Sequence, residues 1–119
     1  MNTPLSPDDA TNFLFEQAAA VLERMYGYSR AASDVLMGEC YRLFLDEGFC
    51  ESLGIPVQDE EFFHHEGALY MAMRAHYYLT LKADPNPDRF IDWVLAYERS
   101  FPDTEERRAW HRSLFAPRA

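Results

Sequence analysis

Basic residues are missing from the middle of this chain, because no Lys or Arg occurs between Arg42 and Arg74. The same interval contains seven acids, which are Asp46, Glu47, Glu51, Asp59, Glu60, Glu61 and Glu66. Residues 1–66 hold 13 acids against 3 bases, whereas residues 67–119 hold 7 acids and 8 bases. A field this one-sided repels nucleic acid and acidic membranes, and it speeds the encounter with a basic partner. The charge pattern therefore argues against direct nucleic-acid binding and favours a protein partner with a basic surface.

Cysteine is also scarce, with only Cys40 and Cys50 in 119 residues. Two thiols ten residues apart, without a C-x-x-C motif, predict neither a disulfide framework nor a zinc site. No apolar run approaches the roughly 20 residues that a membrane-spanning helix needs. The first residues lack the basic and apolar segments of a signal peptide. We therefore expect reduced thiols, one on a helix and one in a loop, in a cytoplasmic protein with no membrane contact.

Catalytic motifs are absent from the sequence as well. There is no G-x-S-x-G elbow, no glycine-rich phosphate loop and no cysteine in a recognisable catalytic context. The sequence therefore predicts a protein that is not an enzyme and that carries no cofactor.

The pattern of apolar residues and helix signals predicts an all-α fold. Ser6 and Pro7 fit the start of a first helix, and Gly27 fits its end. The segment 48–57 contains two glycines and a proline, so we expect a folded-in loop whose apolar residues, including Val57, pack down. The predicted helices span about 7–26, Ser29 or Ser33 to Glu47, 59–83, 87–100 and 104–115. At 119 residues, 48% of them hydrophobic, the chain is expected to form one domain over residues 1–119, a compact bundle of four to five helices.

One short motif is compatible with metal binding. Glu61 and His64 form an E-x-x-H pair, and His65 follows directly. Carboxylate-bridged di-iron bundles use this pair because residues three apart on a helix can reach one metal. Such sites need a second E-x-x-H, which the sequence lacks. We expect no metal, and we keep a metal-binding helical-bundle module or small metalloenzyme using Glu61, His64 and His65 as the alternative function.

The only basic cluster lies near the end of the chain, where Arg107 and Arg108 precede the run Trp110, His111 and Arg112. This cluster could contact an anion or RNA. The simpler interpretation is the cationic end of the last helix, which balances the acidic half.

Together these features favour a small acidic inhibitor that binds another protein. The specific prediction is an immunity protein or antitoxin, or a phage-type inhibitor of a nucleic-acid enzyme, that acts by occluding a basic site on its partner. The predicted partner-binding residues are Asp46, Glu47, Glu51, Asp59, Glu60, Glu61 and Glu66. A homodimeric structural subunit is a further class. The plain alternative is that a net charge of −9 serves only to keep the protein soluble.

Overall fold

The computed structural model describes residues 4–118, and these residues contain six α-helices and no β-strand. The helices are α1 (Asp9–Tyr26), α2 (Arg30–Phe44), α3 (Glu47–Leu53), α4 (Glu60–Ala75), α5 (Pro87–Arg99) and α6 (Glu105–Ser113). A π-helical segment, His76–Thr80, directly continues α4. The predicted all-α class is confirmed, and the predicted number of four to five helices is too low.

The additional helix is α3, which lies in the segment predicted to be a loop. Asp46 starts this helix, because its carboxylate accepts a hydrogen bond of 2.8 Å from the backbone N–H of Phe49. Gly54 ends it in the left-handed conformation, with φ of 73°. Cys50 is therefore a buried helical residue rather than a loop residue. The helix predicted before this segment also ends earlier than expected, at Phe44.

The core forms where α1 packs against α2 and α4. Phe15 of α1 has no solvent exposure, and its ring meets Tyr41 of α2 and Phe63 of α4 edge to face at centroid distances of 5.4 Å and 4.9 Å. Such aromatic pairs stabilise a core beyond the area that they bury. Three consecutive alanines, Ala18, Ala19 and Ala20, are buried on the same helix. Helix α1 is therefore the element around which the fold is organised.

The N-terminal cap of α1 differs from the prediction. Asp8, not Ser6, caps the helix, and its carboxylate accepts a hydrogen bond of 3.2 Å from the N–H of Thr11. Ser6 is buried and donates a hydrogen bond of 2.6 Å to Glu60 at the start of α4. The other end agrees with the prediction, because Gly27 follows α1 with φ of 78°.

The predicted helix over 59–83 is interrupted twice. Gly67 has φ of 85° and ψ of 168°, which bends α4 in its middle. This backbone region is essentially restricted to glycine. In a straight helix Glu66 and Arg74 would lie about 12 Å apart along the axis. The bend brings the Glu66 carboxylate to 2.6 Å from Nε of Arg74. The second interruption is the π-helical segment that begins at His76.

The last two helices begin at polar caps. Helix α5 begins at Pro87, as the predicted span of 87–100 requires, and Asn86 caps it by accepting a hydrogen bond of 2.9 Å from the N–H of Asp88. Helix α6 begins at Glu105, one residue later than the predicted span of 104–115. Thr104 accepts the capping hydrogen bond from the N–H of Arg107.

After α6 the chain returns to α1. Arg24 of α1 donates hydrogen bonds to four backbone carbonyls of this segment, those of Ser113, Leu114, Ala116 and Pro117. Arg118 follows, and only 6% of its side chain is exposed. It donates to three carboxylates, at 2.7 Å to Glu16, 2.8 Å to Glu23 and 2.7 Å to Asp34. We call residues 113–118 the C-terminal clasp.

Candidate protein-binding surface

Five of the seven predicted contact acids lie exposed at the surface, and these are Asp46, Glu47, Glu51, Asp59 and Glu61. Asp46 and Asp59 also cap α3 and α4, each by accepting one backbone N–H. Within residues 4–118 none of the five forms an ion pair with a basic side chain. Their charges are therefore available to a partner.

The other two predicted contact acids are engaged inside the protein. Glu60 accepts hydrogen bonds from the hydroxyl groups of Ser6, at 2.6 Å, and Tyr41, at 2.9 Å. These hydrogen bonds hold the pKa of Glu60 below its ordinary value. Glu66 pairs with Arg74 across the bend of α4. Glu60 thus connects α4 to Ser6 and to α2, and Glu66 connects the two halves of α4. A role in partner binding stays a prediction for both.

Glu47 and Glu51 are one turn apart on α3 and border a shallow depression of about 430 Å³. Its remaining wall is Gly54, Ile55, Pro56 and Val57. The expectation that Val57 packs down is wrong, because 49% of this residue is exposed. We call Glu47, Glu51 and residues 54–57 the α3 patch. It combines two unpaired carboxylates with an exposed apolar surface.

Two backbone hydrogen bonds fix the apolar half of the α3 patch. The N–H of Ile55 donates to the carbonyl of Cys50, and the N–H of Gln58 donates to the carbonyl of Phe44, both at 3.0 Å. The turn at Gly54 directs the chain back past α3, so the apolar residues lie beside the two carboxylates. The sequence predicted the acids of the α3 patch but not its exposed apolar residues. The only signal for them was the short apolar run 55–57, which follows Gly54.

The residues of the metal-binding alternative are not arranged as ligands. Nε2 of His64 lies 2.8 Å from the hydroxyl oxygen of Thr11 and 3.5 Å from the carboxylate of Asp8. Hydrogen bonding from Thr11 lowers the pKa of Asp8, so this carboxylate is an anion beside the imidazole. Glu61 and His65 are exposed. Across residues 4–118 no three His, Cys, Asp or Glu side chains converge as a metal site would require.

His76 occupies an aromatic cluster at the start of the π-helical segment. Its ring stacks on Tyr26 at a centroid distance of 3.9 Å, with only 9° between the planes. Nδ1 of His76 lies 2.6 Å from the hydroxyl of Tyr28, which is also 2.7 Å from the hydroxyl of Thr80. Desolvation lowers the pKa of His76 below 6.5. This histidine is therefore neutral near pH 7.

Both cysteines are free and buried. Burial raises the pKa of Cys40 to about 12 and also raises the pKa of Cys50. Near neutral pH both side chains are thiols rather than thiolates, and the thiolate is the nucleophilic form.

No family model, no curated protein and no solved structure matches this chain. Among the helices of residues 4–118, none has both the length and the apolar character needed to cross a membrane. A function for the chain must therefore be inferred from its surfaces.

Proposed function

We propose that this protein binds a basic surface on another protein and inhibits that protein by occlusion. The observation that carries the proposal is the α3 patch, where Glu47 and Glu51 have no basic partner within residues 4–118 and adjoin the exposed Val57. Charge steers the encounter with a basic partner, and desolvated apolar contacts provide most of the lasting affinity. The protein would act as an immunity protein or antitoxin does, or as a phage-type inhibitor does.

A nucleic-acid enzyme is a suitable partner, because its substrate site carries the Lys and Arg side chains that hold phosphates. Glu47 and Glu51 lie about 6 Å apart along the helix axis, since each residue rises ~1.5 Å. Two cations of such a site could therefore be bound at once. Asp46, Asp59 and Glu61 add negative charge without being neutralised by a basic side chain of residues 4–118. The free, buried thiols are compatible with a cytoplasmic encounter.

The first step of the test is a measurement of mass, which separates a hetero-partner from self-association. We expect a particle of 13.9 kDa by sedimentation equilibrium. A dimer that dissociates in the Glu47→Lys/Glu51→Lys variant would assign the α3 patch to contacts between copies of the chain. That result would overturn the proposed inhibitor function.

The second step uses a partner captured from extracts of the native cells and then purified. Replacing Glu47 and Glu51 with Lys should slow association about tenfold or more at low salt, because steering depends on these charges. It should also flatten the salt dependence of the association rate. The wild-type protein should inhibit the partner, and the variant should not. Stopped-flow mixing and an assay of the partner's activity provide the two measurements.

The matched control reverses two exposed acids in the second half of the chain, Asp88 and Glu106, which also lie in first helical turns. This control changes the net charge by the same amount and leaves the α3 patch intact. It should keep most of the association rate and the inhibition. Equal rates for the wild type and the α3 variant, with both proteins folded by circular dichroism, would refute the proposal.

A further inference from the structure

A second depression, lined by several arginines, lies between the end of α5 and α6. It has a volume of about 460 Å³, and its wall is Glu98, Phe101, Pro102, Asp103, Arg107, Arg108, His111 and Arg112. This volume lies within the range of small-molecule sites. We call it the α6 pocket. It contains the basic cluster that the sequence showed and that the proposed inhibitor function does not use.

The central residue of the α6 pocket is Arg107, whose guanidinium lies between two aromatic rings. Its carbon Cζ is 3.2 Å from the ring centroid of Phe101 and 3.9 Å from that of Trp110. These two cation–π contacts restrict the movement of the guanidinium group. The neighbouring arginines differ, because Arg108 pairs with Asp103 and Glu105, and Arg112 pairs with Glu105.

Arg107 has no hydrogen-bond acceptor and no carboxylate partner within residues 4–118, and its Nε is buried without a partner. A guanidinium carries five N–H donors in a rigid fork, and a buried donor that lacks an acceptor calls for an explanation. The adjacent hydroxyl of Tyr97 supplies no opposite charge, because burial raises the pKa of Tyr97 and keeps it neutral. Arg107 therefore forms no ion pair with an acidic side chain of residues 4–118.

We propose that the α6 pocket binds a small molecule through an oxyanion group, which accepts hydrogen bonds from the two terminal nitrogens of Arg107, Nη1 and Nη2, because the buried Nε cannot be reached from the pocket. Phosphate and carboxylate share the geometry that the guanidinium fork matches. His111 and Arg112 flank the position of the oxyanion, and Phe101 with Pro102 forms an apolar wall for the rest of the ligand.

Two carboxylates also line the pocket, and they must allow an anion to enter. The side chain of Asp103 is 88% exposed, so it can turn into solvent and release Arg108 to the ligand. The carboxylate of Glu98 accepts a hydrogen bond of 2.6 Å from the hydroxyl of Tyr70, which is not part of the pocket wall. The acidic excess of the chain also lies elsewhere, because residues 67–119 contain 8 bases and 7 acids. The α6 pocket shares no lining residue with the α3 patch.

The test is a titration of ¹⁵N-labelled protein, followed through the Nε–H resonances of its arginines. The probes are inorganic phosphate, phenyl phosphate and benzoate, each compared with sodium chloride at the same ionic strength. We expect a saturable shift of the Arg107 Nε–H resonance with at least one probe and no such shift with chloride. Tighter binding of phenyl phosphate than of phosphate identifies an organic phosphate, and preferential binding of benzoate identifies a carboxylate.

Three variants complete the test. Arg107→Gln should weaken binding by about 10- to 100-fold, because hydrogen bonds to a charged group are lost. Arg107→Lys keeps the charge but not the fork and should weaken binding less. Arg99→Gln removes an exposed arginine outside the pocket and should leave binding unchanged.

Two results would overturn this proposal. One is the absence of a saturable shift with all three probes. The other is equal affinity in the wild type and in whichever Arg107 variant retains the wild-type circular dichroism spectrum and cooperative melting. The first result would leave Arg107 as a residue that only packs between two rings.

Discussion

The C-terminal clasp provides the sharpest test of what stabilises this fold. Arg118 is nearly buried and donates to Glu16, Glu23 and Asp34. Replacing Arg118 with Ala removes three charge-assisted hydrogen bonds and leaves three carboxylates close together without their shared cation. Burial acts to raise the pKa of Glu16, yet hydrogen bonds that include the one from Arg118 hold this pKa below its ordinary value. The folded protein therefore depends on the charged form of this group.

The expected loss of stability depends on how deeply Arg118 and the three carboxylates are buried. Removing one partner of a fully buried ion pair costs about 3–5 kcal/mol. Here the three carboxylates are 33%, 24% and 25% exposed, so water can solvate them again and the loss is smaller. We expect Arg118→Ala to lower the free energy of unfolding by about 2–3 kcal/mol. For a chain of this length that corresponds to a melting temperature lower by roughly 8–12 °C.

Urea unfolding followed by circular dichroism measures this loss at pH 7, with Arg99→Ala as the control for an exposed arginine. The control should change stability by less than about 0.5 kcal/mol. The deficit of Arg118→Ala should shrink in acid. A carboxylate with a lowered pKa stabilises the fold above its unfolded pKa of about 4.3, and that contribution disappears as pH falls through the folded pKa.

A loss below about 1 kcal/mol for Arg118→Ala, with an unchanged dependence on urea, would refute this account. It would show that the cost of desolvating Arg118 and of ordering its side chain cancels the three contacts. A loss that stays constant down to pH 3 would contradict the role of charge and leave only the packing of the side chain.

Two further predictions concern the helices. Gly38→Ala should stabilise the protein by about 0.5–1 kcal/mol in urea unfolding. Gly38 lies inside α2, and the nearest atom to an added Cβ would be at 3.6 Å, an ordinary contact distance. Destabilisation would show that this site cannot accept a methyl group. Because desolvation lowers the pKa of His76, the unfolded chain binds a proton more readily and stability should fall as pH drops below about 6.5. Melting temperatures of the wild type and His76→Gln between pH 7.5 and 5 measure this effect, and equal slopes would exclude His76 as its source.

The helix boundaries that depend on local chemistry could be predicted from the sequence. The Asn86–Pro87 start of α5 and the Gly27 end of α1 follow from backbone preferences that need no distant partner. Ser6 fitted the pattern of a helix cap equally well, but its hydroxyl donates a hydrogen bond to Glu60, 54 residues away. A competition of this kind is decided by tertiary structure, so no local pattern reveals it.

The candidate surface was predictable to a similar extent. Charge counting identified the acids, because exposed carboxylates are the ordinary state of Asp and Glu. Charge counting could not show that Glu66, unlike the exposed acids, is paired within the protein. Its ion pair with Arg74 spans the bend at Gly67, which the sequence did not predict. The sequence also could not show that Arg107 lacks an acidic partner. That outcome depends on the fold, in which Asp103 and Glu105 pair with Arg108 and Arg112 instead.

The conformation of Gly67 also bears on how relatives of this protein could be recognised. With φ of 85° and ψ of 168°, the residue occupies a region where a Cβ is strained whatever the space around it. A relative that carries another amino acid at the aligned position would keep this bend only with backbone strain of about 1–3 kcal/mol. It would relieve that strain by straightening the helix or by shifting the bend through an inserted or deleted residue. The glycine therefore marks the bend, and a relative with another residue at this position is expected to differ from this protein in the path of α4.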